Sequence, residues 1–441
     1  MVRTTPKFHA LVARMCTRSP ILSPLKENRL KISLINPNLY IDNTRPPLGL
    51  LSIAAVTRQA GHDVEIIDAN LENYTPDDIL PLIADSDIIG ITAMTSSIYE
   101  AMRIAGKIKH NTTGKGIVLG GVHATVFPQE MIETNLFDVV VQGEGDMAFI
   151  NIVKALQYGY REYPYVLKGC EVDINSLPMP AYDLIDVGRY NPHSARSQKM
   201  PWTSISTSRG CPFICSFCAK AVFGNKFRAM SPMKVADLMA ELKHKYKINE
   251  LVFYDDIFTL DKARVHELCD LIIKCGLKVD WSCEARVNLV DRELLEHMKA
   301  AGCTLVAYGI ESGSDKILKT LSKGINKKGV RKAIQLTKDA GLQTLGYFMM
   351  GSPGETLETI KETPAFAIEL GLDYAQFGIT SPQPGSKLYL DYVEMGYEVP
   401  GWDKFQYVSD DDKPMFTSSH LSKADIIESV IEANKMFQGN K

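Results

Sequence analysis

Three thiols fall within eight residues, in Cys211-Pro-Phe-Ile-Cys215-Ser-Phe-Cys218. Gaps of three and then two residues let the sulfurs share one soft metal centre. A structural zinc site wants four ligands. His193 and His244 are each well over a dozen residues away, and no second cysteine pair follows. A cubane iron–sulfur cluster held by three thiolates keeps one iron without a protein ligand. That iron can chelate the amino and carboxylate groups of a methionine-like molecule and pass it an electron. A zinc loop, or cysteines that meet by chance, is the competing reading.

An apolar, β-rich run, Trp202-Thr-Ser-Ile-Ser-Thr, precedes the loop and turns at Ser208-Arg209-Gly210. The cysteines therefore leave the C-terminal end of a strand, where α/β proteins place their chemistry. Five more strand–helix repeats follow. Their strands start near Glu250, Leu277, Cys303, Leu342 and Tyr374, and each ends in a polar or glycine-rich string. Six units cannot close the eight-stranded barrel, so we expect an open, partial (β/α)6 barrel over residues 201–390, with a wide mouth.

The cysteine loop resembles the signature of the radical S-adenosylmethionine (SAM) enzymes. The strings at the strand ends resemble that family's SAM-contacting motifs in order: Asp255-Asp256, Glu284-Ala-Arg286, Gly309-Ile-Glu311-Ser-Gly-Ser and Gly351-Ser-Pro-Gly-Glu-Thr. The resemblance covers about residues 200–390. It implies that Cys211, Cys215 and Cys218 hold a [4Fe–4S] cluster that cleaves SAM to a 5′-deoxyadenosyl radical. Each string also has its own chemistry. Phe217 is placed to pack on adenine, or is a core aromatic. Asp255 and Asp256 suit the methionine amino group or the substrate, with helix capping the alternative for Asp256. Arg286 suits a two-pronged grip on the SAM carboxylate, beside Glu284. Glu311 suits ribose hydroxyls or the amino group, and Gly351 permits close approach of the backbone to adenine. A surface ion pair or an ordinary turn is the alternative for these last strings.

Ahead of this core, residues 31–160 alternate strand-like and helix-like runs: Ile32–Asn36, Leu51–Ala60, Asp63–Asp68, Pro76–Ala84, Ile88–Thr92, Ile98–Lys109, Gly116–Gly121, Gln129–Thr134 and Asp138–Gly143. Such alternation predicts an α/β, doubly wound parallel sheet (Rossmann-like), with ligands beyond the C-terminal strand ends. Four strings lie there in order: Pro47-Leu48-Gly49, Thr92-Ala-Met-Thr, Gly120-Gly121-Val122-His123 and Gly143-Glu144-Gly145. The set resembles the cobalamin-binding domain that precedes many radical SAM cores, and implies that Leu48, Gly49, Thr92, Gly120, Gly121, Val122, Gly143, Glu144 and Gly145 line a cobalamin site. The Asp-x-His-x-x-Gly string that supplies cobalt with a histidine elsewhere is absent. We expect His123 to shape a loop instead. A cobalamin-like fold without its ligand is the other reading.

The remaining segments read as a tail (1–30), a linker (161–200) with Leu177-Pro-Met-Pro, and a C-terminal extension (391–441). The extension either floors the substrate cavity or covers the barrel's open edge. Basic residues Arg3, Lys7, Arg14 and Arg18 lie among prolines, without the apolar core of a secretory signal. A net charge of −3 indicates no nucleic-acid partner. No run reaches the ~20 apolar residues of a membrane span. Six of the nine cysteines are scattered as expected of free thiols in a reducing cytoplasm.

These features read as an enzyme that activates an unactivated carbon, with methyl transfer from cobalamin implied by the family resemblance. Its partners would be a small-molecule or lipid-like substrate and an electron donor such as ferredoxin or flavodoxin. A ring-forming reaction, as in the related anaerobic magnesium-protoporphyrin monomethyl ester cyclase, is the alternative chemistry. A non-catalytic cobalamin or iron–sulfur sensor is the alternative class.

Overall fold

A computed structural model describes residues 29–39, 44–157, 165–190, 195–398, 401–405 and 414–440. The basic N-terminal stretch, Cys16 and His193 fall outside these residues. The chain divides into two compact units: 1–186 with Ala221–Phe223, and 187–220 with 224–441.

The first unit is built on six parallel strands: β1 (Lys31–Asn36), β2 (Asp63–Asp68), β3 (Ile88–Thr92), β4 (Gly116–Gly120), β5 (Val139–Gln142) and β6 (Tyr165–Lys168). Their spatial order is β2-β1-β3-β4-β5-β6. Inner strands of a parallel sheet are covered on both faces, so they read as unbroken apolar runs such as Ile88-Ile-Gly-Ile and Val139-Val-Val. The helices Leu48–Gln59 and Gly145–Gln157 pack against this sheet. Ala54, Phe149 and Val153 meet Ile32, Leu34, Val118 and Val139 in one core.

Two features differ from the sequence expectation. The sheet does not end at Gly143: β6 pairs with β5 from Val139↔Tyr165 to Gln142↔Lys168. This strand is a short, half-buried edge, so its apolar signal is weak. Gly145 opens a helix rather than closing a loop. The linker also divides. Ala181 donates its amide to Leu51 O at 3.1 Å and joins the first core, and Asp183 pairs with Arg58.

The second unit holds β7 (Trp202–Ile205), a two-stranded antiparallel hairpin of β8 (Ser208–Arg209) and β9 (Arg228–Ala229), then β10 (Glu250–Phe253), β11 (Asp280–Ala285), β12 (Cys303–Glu311), β13 (Gln343–Met350) and β14 (Tyr374–Ile379). The main sheet is wholly parallel, in the order β14-β13-β12-β11-β10-β7. This is the partial barrel that six units predict. Ser231, Asp261, Asp291, Asn326 and Thr356 each cap a following helix by accepting the amide three residues on. Each cap satisfies a helix amide that has no partner within the helix itself. Outside β10 and β11, Phe253, Phe258 and Trp281 interlock with centroids 4.5–5.5 Å apart. The C-terminal helix Lys423–Gly439 packs along β14, with Phe437 against Phe377. It covers the edge of the half-barrel.

Candidate active site

Residues 210–227 form the cysteine loop, pinched at its base by β8 and β9. Gly210 (φ +83°) and Gly224 (φ +65°) make the two turns. The loop is tied down from several sides. Ser216 N donates to Leu321 O (3.0 Å), Leu388 N donates to Ser216 O (2.7 Å), and Lys220 Nζ donates to Cys211 O (3.1 Å). Cys211 is buried, Cys215 half-buried and Cys218 exposed. Desolvation of the sulfurs by the surrounding loop pushes both the Cys211 and Cys218 thiols up, Cys218 to about 11 although its residue as a whole is exposed, with Asp256 raising them further. Thiols in such a setting give up their protons when a metal replaces them. Among the described residues, no three His, Cys, Asp or Glu side chains converge as ligands of a single metal ion. The donor set suits a cluster whose irons each take one sulfur.

Arg286 donates from Nη1 to Cys215 Sγ at 3.5 Å and stacks 4.0 Å from the Phe213 ring centroid. Its Nε is buried without a partner. It is a cation beside the cysteines that faces no carboxylate among the described residues.

The acidic pair splits. Asp255 is buried, and its oxygens accept from Thr207 N (2.5 Å), Thr207 Oγ1 (2.5 Å) and Ser208 N (2.9 Å), while Arg264 braces Thr207. Its carboxylate fixes the strand exit that leads to the cysteines. Asp256 is the exposed member. Burial of its carboxyl and the charge of Asp255 raise it, and Lys220 opposes them. It caps no helix; Asp261 does.

Glu284 stands half-buried near the end of β11. Its Oε1 accepts from Arg196, and its Oε2 makes no hydrogen bond to the described residues. Glu311 follows a register shift in β12 and sits at φ +69°, a conformation rare for a residue with a side chain. The shift re-aims the side chain onto the buried Lys323, whose Nζ lies 2.7 Å from Glu311 Oε1. A Cβ on Gly309 would displace the ends of both side chains. Lys323 also lies 5.5 Å from the Phe217 ring centroid. Phe217 itself packs against Leu388, Tyr392 and Phe416.

Gly351 (φ +82°) turns its amide onto Glu355 Oε2 at 2.7 Å, beside Ser352 N at 2.8 Å. A Cβ there would press within 2.8 Å of Ile426 Cγ2 on the C-terminal helix. The close approach that requires this glycine is thus made by that helix. Glu355 is buried, its Oε1 has no partner, and burial pushes its carboxyl up to about 7.

Sequence reasoning missed Arg196 and Lys323. Each is a single cation in a loop with no periodicity, and its partner is distant in the chain or lies across a turn. Lys323 had one usable signal, its place between left-handed Ser322 and Gly324.

In the first unit the strings converge at the C-terminal ends of β3, β4 and β5. Gly121 adopts φ +95°, ψ −170°, and a Cβ there would lie 2.7 Å from Ala93 O and 2.8 Å from Thr92 Oγ1. Gly143 is also left-handed (φ +91°), held by Thr125 Oγ1 at 3.1 Å from its amide. Glu144 is buried, and a Cβ on Gly169 would collide with its carbonyl. Gly145 lets the following helix approach Ile53, 3.1 Å from where a Cβ would sit. Leu48 and Gly49 open the helix after β1, and Gly49 is exposed. Met94 and Val122 stand exposed beside Gly120 and Gly121, an apolar ledge at the strand ends. His123 is wholly buried, 3.3 Å from Thr95 Oγ1, and burial lowers its pKa to about 4. It shapes the loop beneath the ledge.

The chain thus joins a doubly wound parallel sheet with glycines at its strand ends to a half-barrel bearing a three-cysteine loop. The B12 binding domain family matches residues 39–153, and the Radical SAM superfamily matches residues 205–367. An uncharacterised methyltransferase of Pyrococcus horikoshii is 36% identical over 89% of this chain and 90% of its own. The anaerobic magnesium-protoporphyrin IX monomethyl ester cyclase of Rubrivivax gelatinosus is 28% identical over 93% of this chain and 78% of its own. The structure of the cobalamin-dependent SAM radical enzyme OxsB superposes with a TM-score of 0.74 at 16% identity, over 93% of this chain and 67% of that one. The chain belongs to the B12-binding radical SAM family, whose cofactors are a [4Fe–4S] cluster, SAM and cobalamin. No described helix is long and apolar enough to cross a membrane.

Proposed function

We propose that this chain is a cobalamin-dependent methyltransferase acting on an unactivated carbon of a small or lipid-like molecule. The observation that carries this reading is the 36% identity to a methyltransferase, sustained through both domains. When bound, the cluster and SAM supply one-electron bond cleavage, and cobalamin supplies the methyl group. The protein's own part is to hold, orient and exclude water.

Cys211, Cys215 and Cys218 hold the cluster. Arg286, stacked on Phe213 and facing no carboxylate, takes the SAM carboxylate through two N–H donors. Asp256 and the open Oε2 of Glu284 receive the amino group. Glu311, fixed by Lys323, accepts from the ribose hydroxyls. The strand end at Gly351 and the ring of Phe217 border the adenine. In the first unit, Thr92, Gly120, Gly121, Val122, Gly143, Glu144 and Gly145 form the cradle for cobalamin, with Leu48 and Gly49 at its side. An outside reductant, of the ferredoxin or flavodoxin kind, feeds the cluster.

The test is anaerobic turnover with cobalamin and methyl-deuterated SAM. Product carrying one labelled methyl group supports the reading. The relation to the cyclase, 28% over 93% of the chain, favours a second reading, an oxidative ring closure. Product altered without the labelled methyl would establish that one instead.

A further inference from the structure

The residues just before β7 do more than connect. Ala195 packs among Leu305, Ala307, Leu345, Tyr347 and Tyr374 of β12, β13 and β14. Ser282 Oγ of β11 donates to Arg196 O at 2.8 Å, and Gln198 Nε2 donates to Tyr374 Oη at 2.8 Å. The amides of Gln198 and Lys199 both donate to the buried Glu250 carboxylate of β10, at 2.5 and 2.6 Å. Residues 195–199 are thus pinned to five strands, and they plug the half-barrel from below.

Out of this plug rises Arg196, 3% exposed. Its guanidinium donates to Phe253 O at 2.6 Å and to Glu284 Oε1, and lies 4.7 Å from the Tyr254 ring centroid. The Tyr347 side chain lies close to it as well. So a buried cation, anchored through one nitrogen to Phe253 O, meets the half-open Glu284 through another. A guanidinium held on several sides has little freedom to lose when it orients a carboxylate.

We propose that Arg196, supplied by the segment ahead of the barrel, is a positioning residue that aims Glu284 Oε2 into the barrel mouth and keeps it ready to bind the amino group of SAM. The inference rests on the reading of Glu284 as a SAM contact. Burial, with Asp256 and Glu311 nearby, pushes the Glu284 carboxyl up, and Arg196 is the group that opposes this.

The test uses the full chain with its cluster reconstituted under anoxic conditions. Arg196→Met, Arg196→Lys, Glu284→Gln and the Arg196→Met/Glu284→Gln double variant are compared. SAM affinity is read from the change that SAM causes in the spectrum of the reduced cluster, with iron content and thermal unfolding recorded alongside. Glu284→Gln is expected to weaken SAM by about tenfold or more, the loss of one charge-assisted hydrogen bond. Arg196→Met should weaken it by a similar factor. The double variant should be little worse than either, because both changes remove one unit. Arg196→Lys should recover most of the affinity. Unchanged affinity in Glu284→Gln defeats the SAM-contact reading itself. Weakened SAM in Glu284→Gln with normal affinity in Arg196→Met defeats the present inference alone. So does a double variant whose losses multiply. If Arg196→Met does not fold, Arg196→Lys decides: an affinity as poor as that of Glu284→Gln, with normal iron content, overturns the positioning role.

Discussion

Glu355 gives a prediction whose size can be worked from the structure. Its Oε2 accepts two backbone amides at 2.7 and 2.8 Å, while Oε1 is buried with no partner. Desolvation outweighs the two amides and raises the carboxyl from 4.5 to about 7. The folded state therefore binds this proton more tightly than the unfolded chain does. Stability from this site is complete below the unfolded value and is lost as pH rises toward the folded one. The full difference is about 3 kcal/mol, of which about 2 kcal/mol falls between roughly pH 5.5 and roughly pH 8.5. Glu355→Gln keeps an acceptor for the amides and removes the titration. Its amide donors lack partners and cost about 1–3 kcal/mol, but equally at every pH. All three tryptophans, Trp202, Trp281 and Trp402, lie in the second unit, so their fluorescence reports its unfolding. Denaturant titrations of the cluster-free protein across that pH range should show the gap between wild type and variant shifting by about 2 kcal/mol in the variant's favour as pH rises. Parallel pH curves for the two proteins would refute the account of a strained, buried carboxyl.

Four further outcomes follow from the same geometry. Cys211→Ala, Cys215→Ala or Cys218→Ala should each abolish iron–sulfur loading and SAM cleavage, whereas Cys170→Ala should leave iron content unchanged. Gly121→Ala forces a Cβ against the Ala93 backbone in a φ/ψ region that only glycine favours, so it should cost about 1–3 kcal/mol or more; corrinoid absorbance per chain would fall while iron content holds. Gly309→Ala displaces the flexible ends of Glu311 and Lys323 rather than backbone, so SAM affinity should drop with little change in the unfolding midpoint. Arg286→Lys keeps the charge but loses the paired donors and the stacking on Phe213, and should weaken SAM by about tenfold.

The fold was legible wherever burial imposes a period. β2 and β3 fall on the residues that the sequence pattern indicates. What escaped was set by partners far away in the chain. The edge strand β6 has one covered face and four residues, too short to show alternation. Asp255 and Asp256 are indistinguishable as letters, yet one faces the Thr207 and Ser208 amides and the other the mouth. They lie two and three residues past the end of β10, where partners distant in the chain and not the strand's own alternation fix each direction. Arg196 sits in a stretch that reads as polar linker because nothing local reveals that it ends against β11.

An open half-barrel has unpaired edges, at β14 and β7, that a closed barrel lacks. Chain from outside the six repeats packs onto it at two places, the helix Lys423–Gly439 at the β14 edge and residues 195–199 across the strands. Neither segment is inert. The helix presses Ile426 against Gly351, whose amide is held by Glu355, so edge packing and the glycine string move together. The plug sends Arg196 to Glu284. A bulky residue in place of Ile426 should therefore disturb SAM binding through Gly351 although it belongs to the C-terminal helix. Ile426→Trp, scored by SAM-induced change in the reduced-cluster spectrum, should lose affinity while Ile431→Trp, at an exposed position on the same helix, should not. Equal affinities in the two variants would show that the edge helix is cover and nothing more.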